Sequence, residues 1–146
     1  MSGADSQLAS ELLCDLNGPQ AEAVTHANGP LLVLAGPGSG KTRVITRRVG
    51  HLIRVVGAAP WNVLAITFTN KAAGEMKSRI ADLISERQAR AITVSTFHSL
   101  CARLLRIYAD RLGLPVGYSI YDTADQQRVI KRSLEELEIN AKNFPP

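Results

Sequence analysis

An unbroken apolar run, Leu31-Leu32-Val33-Leu34, stands directly before a glycine-rich stretch, Ala35-Gly36-Pro37-Gly38-Ser39-Gly40-Lys41-Thr42. Such a run suits a buried parallel strand covered on both faces. After the glycines the period changes. Ile45, Val49, Leu52, Ile53 and Val56 recur at the spacing of one helical face, and Arg43, Arg47 and Arg54 lie opposite them. Gly57 ends that helix. Upstream, residues 1–16 read as a loosely tied start with an apolar patch at Leu8, Leu12 and Leu13. Asn17 then caps a helix running from Gln20 to about His26, with Pro19 in its first turn and Gln20 at the capping-box position.

The alternation continues downstream. Val63-Leu64-Ala65-Ile66 predicts a second buried strand. Asn70 caps the following helix, which buries Ala73, Met76, Ile80, Leu83 and Ile84. Ile92-Thr93-Val94 predicts a third strand. Thr96 caps a long helix with apolar positions at Leu100, Cys101, Leu104, Leu105, Tyr108 and Leu112, closed by Gly113 and Pro115. Tyr118-Ser119-Ile120-Tyr121 predicts a fourth strand. Thr123-Ala124-Asp125-Gln126 reads as a capping box for a helix burying Ile130, Leu134 and Leu137, and 139–146 reads as loop. Strand and helix patterns in alternation predict an α/β fold with a parallel sheet and flanking helices.

Composition is ordinarily globular, with 45 % hydrophobic and 21 % charged residues in 146, enough for one domain and a piece of another. No run is long and apolar enough to span a membrane, and the start lacks the basic-then-apolar layout of a signal peptide. Cys14 and Cys101 show no metal-ligand spacing and read as reduced thiols of a cytoplasmic protein. The net charge of +4 is modest, but its distribution is uneven. From Ala23 to Gly74 there is no Asp or Glu, while Lys41, Arg43, Arg47, Arg48, Arg54 and Lys71 all fall there. That favours a polyanionic ligand; a run of solvated basic side chains is the plainer alternative.

The glycine-rich stretch supplies the chemistry. A strand, then a glycine turn, then a helix opening on Lys-Thr is the layout of a phosphate-binding loop. Gly36, Gly38 and Gly40 allow positive φ and close approach of the backbone. The loop amides and the helix N-terminus favour an anion at one spot, Lys41 reaches β- and γ-phosphates, and Thr42 offers its hydroxyl to Mg2+. The common pattern begins with glycine where this chain has Ala35, at the strand end. Gln20 has two readings: closing its capping box, or pairing donor and acceptor with the N6/N7 edge of adenine. His51 reads as a partly buried helix residue and Trp61 as packing. Phe68 reads either as a core plug or as a ring that stacks on a base, among Thr67, Thr69, Asn70 and Lys71 at a strand exit. The same mixture recurs at Thr96, Phe97, His98 and Ser99. His98 finds no nucleophile to activate, which favours a phosphate or base contact over a general base.

These four motifs, Leu16-Asn17-x-x-Gln20, Ala35 to Thr42, Thr67-Phe68-Thr69-Asn70-Lys71-Ala72-Ala73 and Thr96-Phe97-His98-Ser99, occur in one order. The chain from about Leu16 onward resembles the N-terminal part of a UvrD/Rep-type superfamily 1 DNA helicase. The resemblance implies a RecA-like P-loop NTPase sheet over 16–117, after an N-terminal extension over 1–15. It also implies the start of an inserted helical subdomain over 118–146. ATP and Mg2+ are the implied cofactors, held by Gln20, Ala35, Gly36, Pro37, Gly38, Ser39, Gly40, Lys41, Thr42 and Arg43. Thr67, Phe68, Asn70, Lys71, Thr96, Phe97 and His98 would touch single-stranded DNA. Translocation with 3′-to-5′ polarity, unwinding at duplex junctions, and repair or replication partners follow from the same likeness. An NTP hydrolase also needs carboxylates for magnesium and the attacking water. The family carries them in an Asp-Glu motif, and no Asp-Glu pair occurs here. Asp122 follows a weak strand but already makes sense as helix-start chemistry. The expectation is a helicase piece lacking hydrolysis, its arginine finger and C-terminal helicase domains supplied elsewhere. A non-catalytic nucleotide- or DNA-binding module that regulates a partner is the alternative. A different P-loop enzyme would leave both Thr-Phe motifs unexplained.

Overall fold

The computed structural model describes residues 3–115 and 117–139. The chain divides into two compact units, 1–102 and 103–146.

In the first unit, helix α1 (Gly3–Leu13) precedes α2 (Gly18–Thr25) and α3 (Lys41–Arg54). A 3-10 turn at Pro60–Asn62 leads into strand β1 (Leu64–Thr67). Helices α4 (Asn70–Ala81) and α5 (Glu86–Ala91) connect it to β2 (Thr93–Thr96), and α6 (Phe97–Ile107) follows directly. β1 and β2 pair in parallel, Leu64 opposite Thr93 and Thr67 opposite Thr96. Such a pair needs a helical crossover, which α4 and α5 provide. The main core sits where α3 and α4 cover this pair, with Val49, Ile53, Ala65, Met76, Ile80 and Ile92 buried together. A smaller cluster of Ala23, Val24 and Val44 joins α2 to α3. The second unit holds a 3-10 turn at Asp110–Leu112, closed by Gly113 at φ 66°, and helix α7 (Thr123–Glu136).

The fold is α/β, but its sheet has two strands among the described residues, not the four expected. Leu31–Leu34 forms no strand, and its side chains are open, Leu32 at 82 % and Leu34 at 87 % exposure. An apolar run states what a segment can bury. A strand also needs a neighbour for its N–H and C=O groups, and none of the described residues supplies one. Tyr118–Tyr121 is likewise irregular and largely exposed, for the same reason.

Several local expectations shift. The N-cap after β1 is Thr69, whose hydroxyl accepts from the Ala72 amide at 3.1 Å, so Asn70 is already helical. The last capping box belongs to Asp122 and Asp125, one residue earlier than expected; a carboxylate accepts the amide better than a threonine hydroxyl does. α3 buries Val49 and Ile53 of the expected face, leaves Ile45 and Val56 exposed and Leu52 half-buried, and buries Val44, Thr46, Gly50 and His51 besides, because α1, α2 and α4 all pack on it. None of the apolar positions expected to be buried on α6 and α7 is buried. Residues 3–13 are helical rather than loose. Leu12 is fully buried and packs so closely on Gly50 that a Cβ there would sit 3.1 Å from its methyl. Helix α5 was not expected, although its capping box, Ser85 with Gln88, stands in the sequence. Of the loop expected over 139–146, only Ile139 lies within the described residues.

Candidate functional site

Of the layout expected for a phosphate-binding loop, the glycine turn and the helix after it form, and the strand before it does not. Gly38 and Gly40 take positive φ, 75° and 80°, whereas Gly36 does not. Gly40 is the N-cap of α3, and its left-handed conformation starts the helix immediately before Lys41. The Lys41 ammonium folds back over the turn, donating to the Ala35 and Gly36 carbonyls at 3.0 and 2.7 Å. The Ser39 hydroxyl donates to the Gly36 carbonyl at 2.7 Å. A phosphate competes with two neutral carbonyls for that ammonium. An anion there would add ion–ion attraction that a neutral carbonyl does not offer the ammonium, and the positive end of α3 adds to the attraction.

Gln20 is bonded to this turn. Its backbone amide donates to Asn17 Oδ1 at 3.0 Å, and its Oε1 accepts from the Asn17 amide at 3.1 Å. Its Nε2 also donates to the Ser39 carbonyl at 3.0 Å. The capping box and a contact to the glycine turn therefore coexist. Asn17, Gln20, Leu31, Ala35, Lys41 and Arg48 line part of a cavity of about 610 Å³ here, within the usual small-ligand range of about 300–1,000 Å³. Pro37 and Thr42 are exposed at the same turn. Arg43 donates to the Asp15 carbonyl at 3.4 Å.

The parallel register brings the two Thr-Phe motifs together. Thr67 stands opposite Thr96, so Phe68 and Phe97 leave the two strands at the same level. Phe68 is 90 % exposed and Phe97 64 %, which removes the core-plug reading of Phe68. Helices α4 and α6 begin just beyond, with Lys71 and His98 exposed in their first turns. Two helix N-termini, a lysine and an imidazole beside two open rings can hold phosphates and stack bases. Thr96 is buried, its hydroxyl donating to Ser99 Oγ at 2.9 Å and accepting the Ser99 amide at 3.2 Å. Thr67 donates its hydroxyl to the Thr69 carbonyl at 2.9 Å. These two threonines shape the exits, and the rings, Asn70, Lys71 and His98 face outward.

Thr42, the metal donor expected from the motif, is exposed at the start of α3. No group of three His, Cys, Asp or Glu side chains gathers among the described residues. The Asp122 carboxylate accepts the Asp125 amide at 2.8 Å, which is a helix-cap role. No helix of the described residues is long and apolar enough to cross a membrane.

His51 is buried in α3. Burial, and then the Arg48 charge, hold its pKa below the ordinary value of 6.5. The neutral ring is therefore favoured in the fold. Stability from this group is fully present above pH 6.5 and is lost as pH falls from there through the lower folded value. Urea unfolding between pH 7.5 and 5 should show that loss, and His51→Gln should flatten it; an unchanged slope in the variant would clear His51 of the effect.

The sequence reading missed Arg48, which sits on α3 but bonds to the end of α2. It also missed the arginine contacts to α1. No motif marks these residues, because their partners lie 22 or more positions away.

Comparison with known proteins places this geometry in a family. The family model described as the UvrD/REP helicase N-terminal domain matches residues 16–146. The ATP-dependent DNA helicase PcrA of Bacillus subtilis (strain 168) is 51 % identical over 139 residues, covering 95 % of this chain and 19 % of that protein. The PcrA proteins of Leuconostoc citreum and Staphylococcus aureus (strain COL) are 50 % and 51 % identical, over 90 % and 92 % of this chain and 18 % of each relative. The chain thus spans about a fifth of the length of these relatives. With the match running from Leu16 through both Thr-Phe motifs, the chain belongs to the UvrD/REP helicase N-terminal domain family.

Proposed function

We propose that this chain is the ATP- and single-stranded-DNA-binding part of an ATP-dependent DNA helicase. One observation carries the reading: a lysine-bridged glycine turn with Gln20 bonded to it shares one compact unit with two parallel strand exits bearing open rings. ATP sits with its phosphates on residues 35–42 and its base beside Gln20, and Thr42 meets Mg2+. Single-stranded DNA lies across Phe68 and Phe97, with Asn70, Lys71 and His98 beside them. The β1–β2 pair belongs to a RecA-like sheet, and the helical second unit opens an inserted subdomain. The relatives' printed name, ATP-dependent DNA helicase, supports the helicase reading; 3′-to-5′ polarity, a place in replication or repair and a cytoplasmic location are proposed from the family likeness of the motifs alone.

Hydrolysis requires a magnesium carboxylate and a water-orienting group. These 146 residues contain no Asp-Glu pair, so this chain by itself binds both ligands without turning ATP over. Turnover measured with and without single-stranded DNA, beside Lys41→Ala, tests this. Activity no higher than that of the variant is the expected result. DNA-stimulated hydrolysis that Lys41→Ala abolishes would overturn the binding-only assignment and make Asp122 the first candidate ligand. For the DNA surface, Phe68→Ala should weaken single-stranded DNA binding by roughly 1–3 kcal/mol, the worth of one base–aromatic stack. Unchanged affinity by fluorescence anisotropy would take the ring out of the interface.

A further inference from the structure

Helix α2 has eight residues, too few to be stable alone. Both its ends are held from outside. At its start, the Asn17–Gln20 capping box closes and Gln20 Nε2 donates to the Ser39 carbonyl. At its end, a half-buried side chain from α3 takes over: Arg48 Nη1 donates to the carbonyls of Ala23, Val24 and His26, at 3.2, 3.1 and 2.9 Å. These are the orphan acceptors that a helix C-terminus exposes, and a cation there also meets the negative end of the helix dipole. Between the two ends, Ala23 and Val24 pack on Val44 of α3.

We propose that Arg48 is the positioning residue for nucleotide-base selection, fixing α2 on α3 so that Gln20 presents its amide at one angle to the cavity. The inference rests on the nucleotide reading above. With Oε1 accepting from Asn17 and one N–H donated to Ser39, the Gln20 amide keeps one N–H and one lone pair. That remaining donor and acceptor match the N7 and N6 of adenine; guanine presents two acceptors, N7 and O6, on the same edge. Selectivity of this kind depends on angle. The angle depends on α2, and α2 depends on Arg48 for its last turn.

The test compares affinities of the full chain for ATP, GTP and inorganic tripolyphosphate, each with Mg2+, in the unaltered protein, Gln20→Ala, Arg48→Ala and Arg48→Lys. The unaltered protein should prefer ATP. Arg48→Ala should lower the ATP-to-GTP ratio as Gln20→Ala does, by roughly three- to tenfold, about one hydrogen bond. Tripolyphosphate affinity should fall by less than ATP affinity does, because tripolyphosphate has no base for the Gln20 amide to read. Arg48→Lys keeps the charge without the planar fork and should fall between. A purely structural defect would move all three affinities together. If Arg48→Ala loses tripolyphosphate as well, Arg48→Lys carries the comparison. A ratio retained by an Arg48 variant that still binds tripolyphosphate, while Gln20→Ala loses it, overturns the role of Arg48 and leaves the base reading intact. A native protein with no preference, unaffected by Gln20→Ala, removes the base reading and this inference with it.

Discussion

Lys41→Ala lowers affinity for magnesium-ATP by about 3 kcal/mol, roughly a hundredfold, and leaves single-stranded DNA binding unchanged. The effect is local because of what the ammonium touches. Its two partners, the Ala35 and Gly36 carbonyls, belong to exposed residues, so water takes over when the lysine is gone. No buried acceptor is stranded, and Gly38 and Gly40 hold the turn by their own backbone geometry. What disappears is the cation that bridges the turn, and an anion feels that directly. Calorimetric titration with ATP and anisotropy with a labelled oligonucleotide separate the two effects. Parallel loss of both ligands would mean misfolding and would withdraw the phosphate role from Lys41.

Leu12→Ala destabilises the fold by roughly 2–5 kcal/mol, the usual range for a fully buried leucine. Leu12 is 1 % exposed and meets Gly50 at the middle of α3. The polar contacts around it are more numerous and weaker. Arg54 pairs with Glu11 at 3.1 Å, Arg47 donates to the Glu11 carbonyl at 2.8 Å, and Arg43 reaches Asp15. Glu11 is exposed, and such pairs are worth about 0–1 kcal/mol, so Glu11→Ala should cost far less than Leu12→Ala. The destabilisation would be felt at the glycine turn, because α3 begins there and Arg43 follows Thr42. Urea unfolding gives both values. A Leu12→Ala loss under about 1 kcal/mol would show that α1 does not unfold with the rest.

What the sequence disclosed was local. The Asn17–Gln20 box, the left-handed glycines of the turn and the helix opening at Lys41 all follow from residues within a few positions of one another, and each stands in the structure. Pairing is not local. Nothing in Leu31–Leu34 or Tyr118–Tyr121 says whether a neighbouring strand is present, and both were expected as strands that the structure does not form. Helix α1 has few apolar positions. Its anchor is Leu12 against a glycine 38 residues later, which no periodicity reveals. Arg48 looked like one more basic residue on a helix surface, and only the position of α2 gives it a task. The exposed rings were legible as chemistry, since two Thr-Phe steps after two apolar strands could be seen in advance. Their common level needed the register.

That register has a consequence for direction. Parallel strands related by a sideways step of about 4.8 Å carry their exits into the same surface as translated copies. An antiparallel pair would put the two exits at opposite ends. A polymer laid across Phe68 and Phe97 meets the same arrangement twice in the same sense, as a rack meets successive teeth cut with the same slope. A nucleic-acid strand is itself polar, so lying one way round differs from lying the other. The pairing of Thr67 with Thr96 thus gives the surface an arrow before any fuel is consumed.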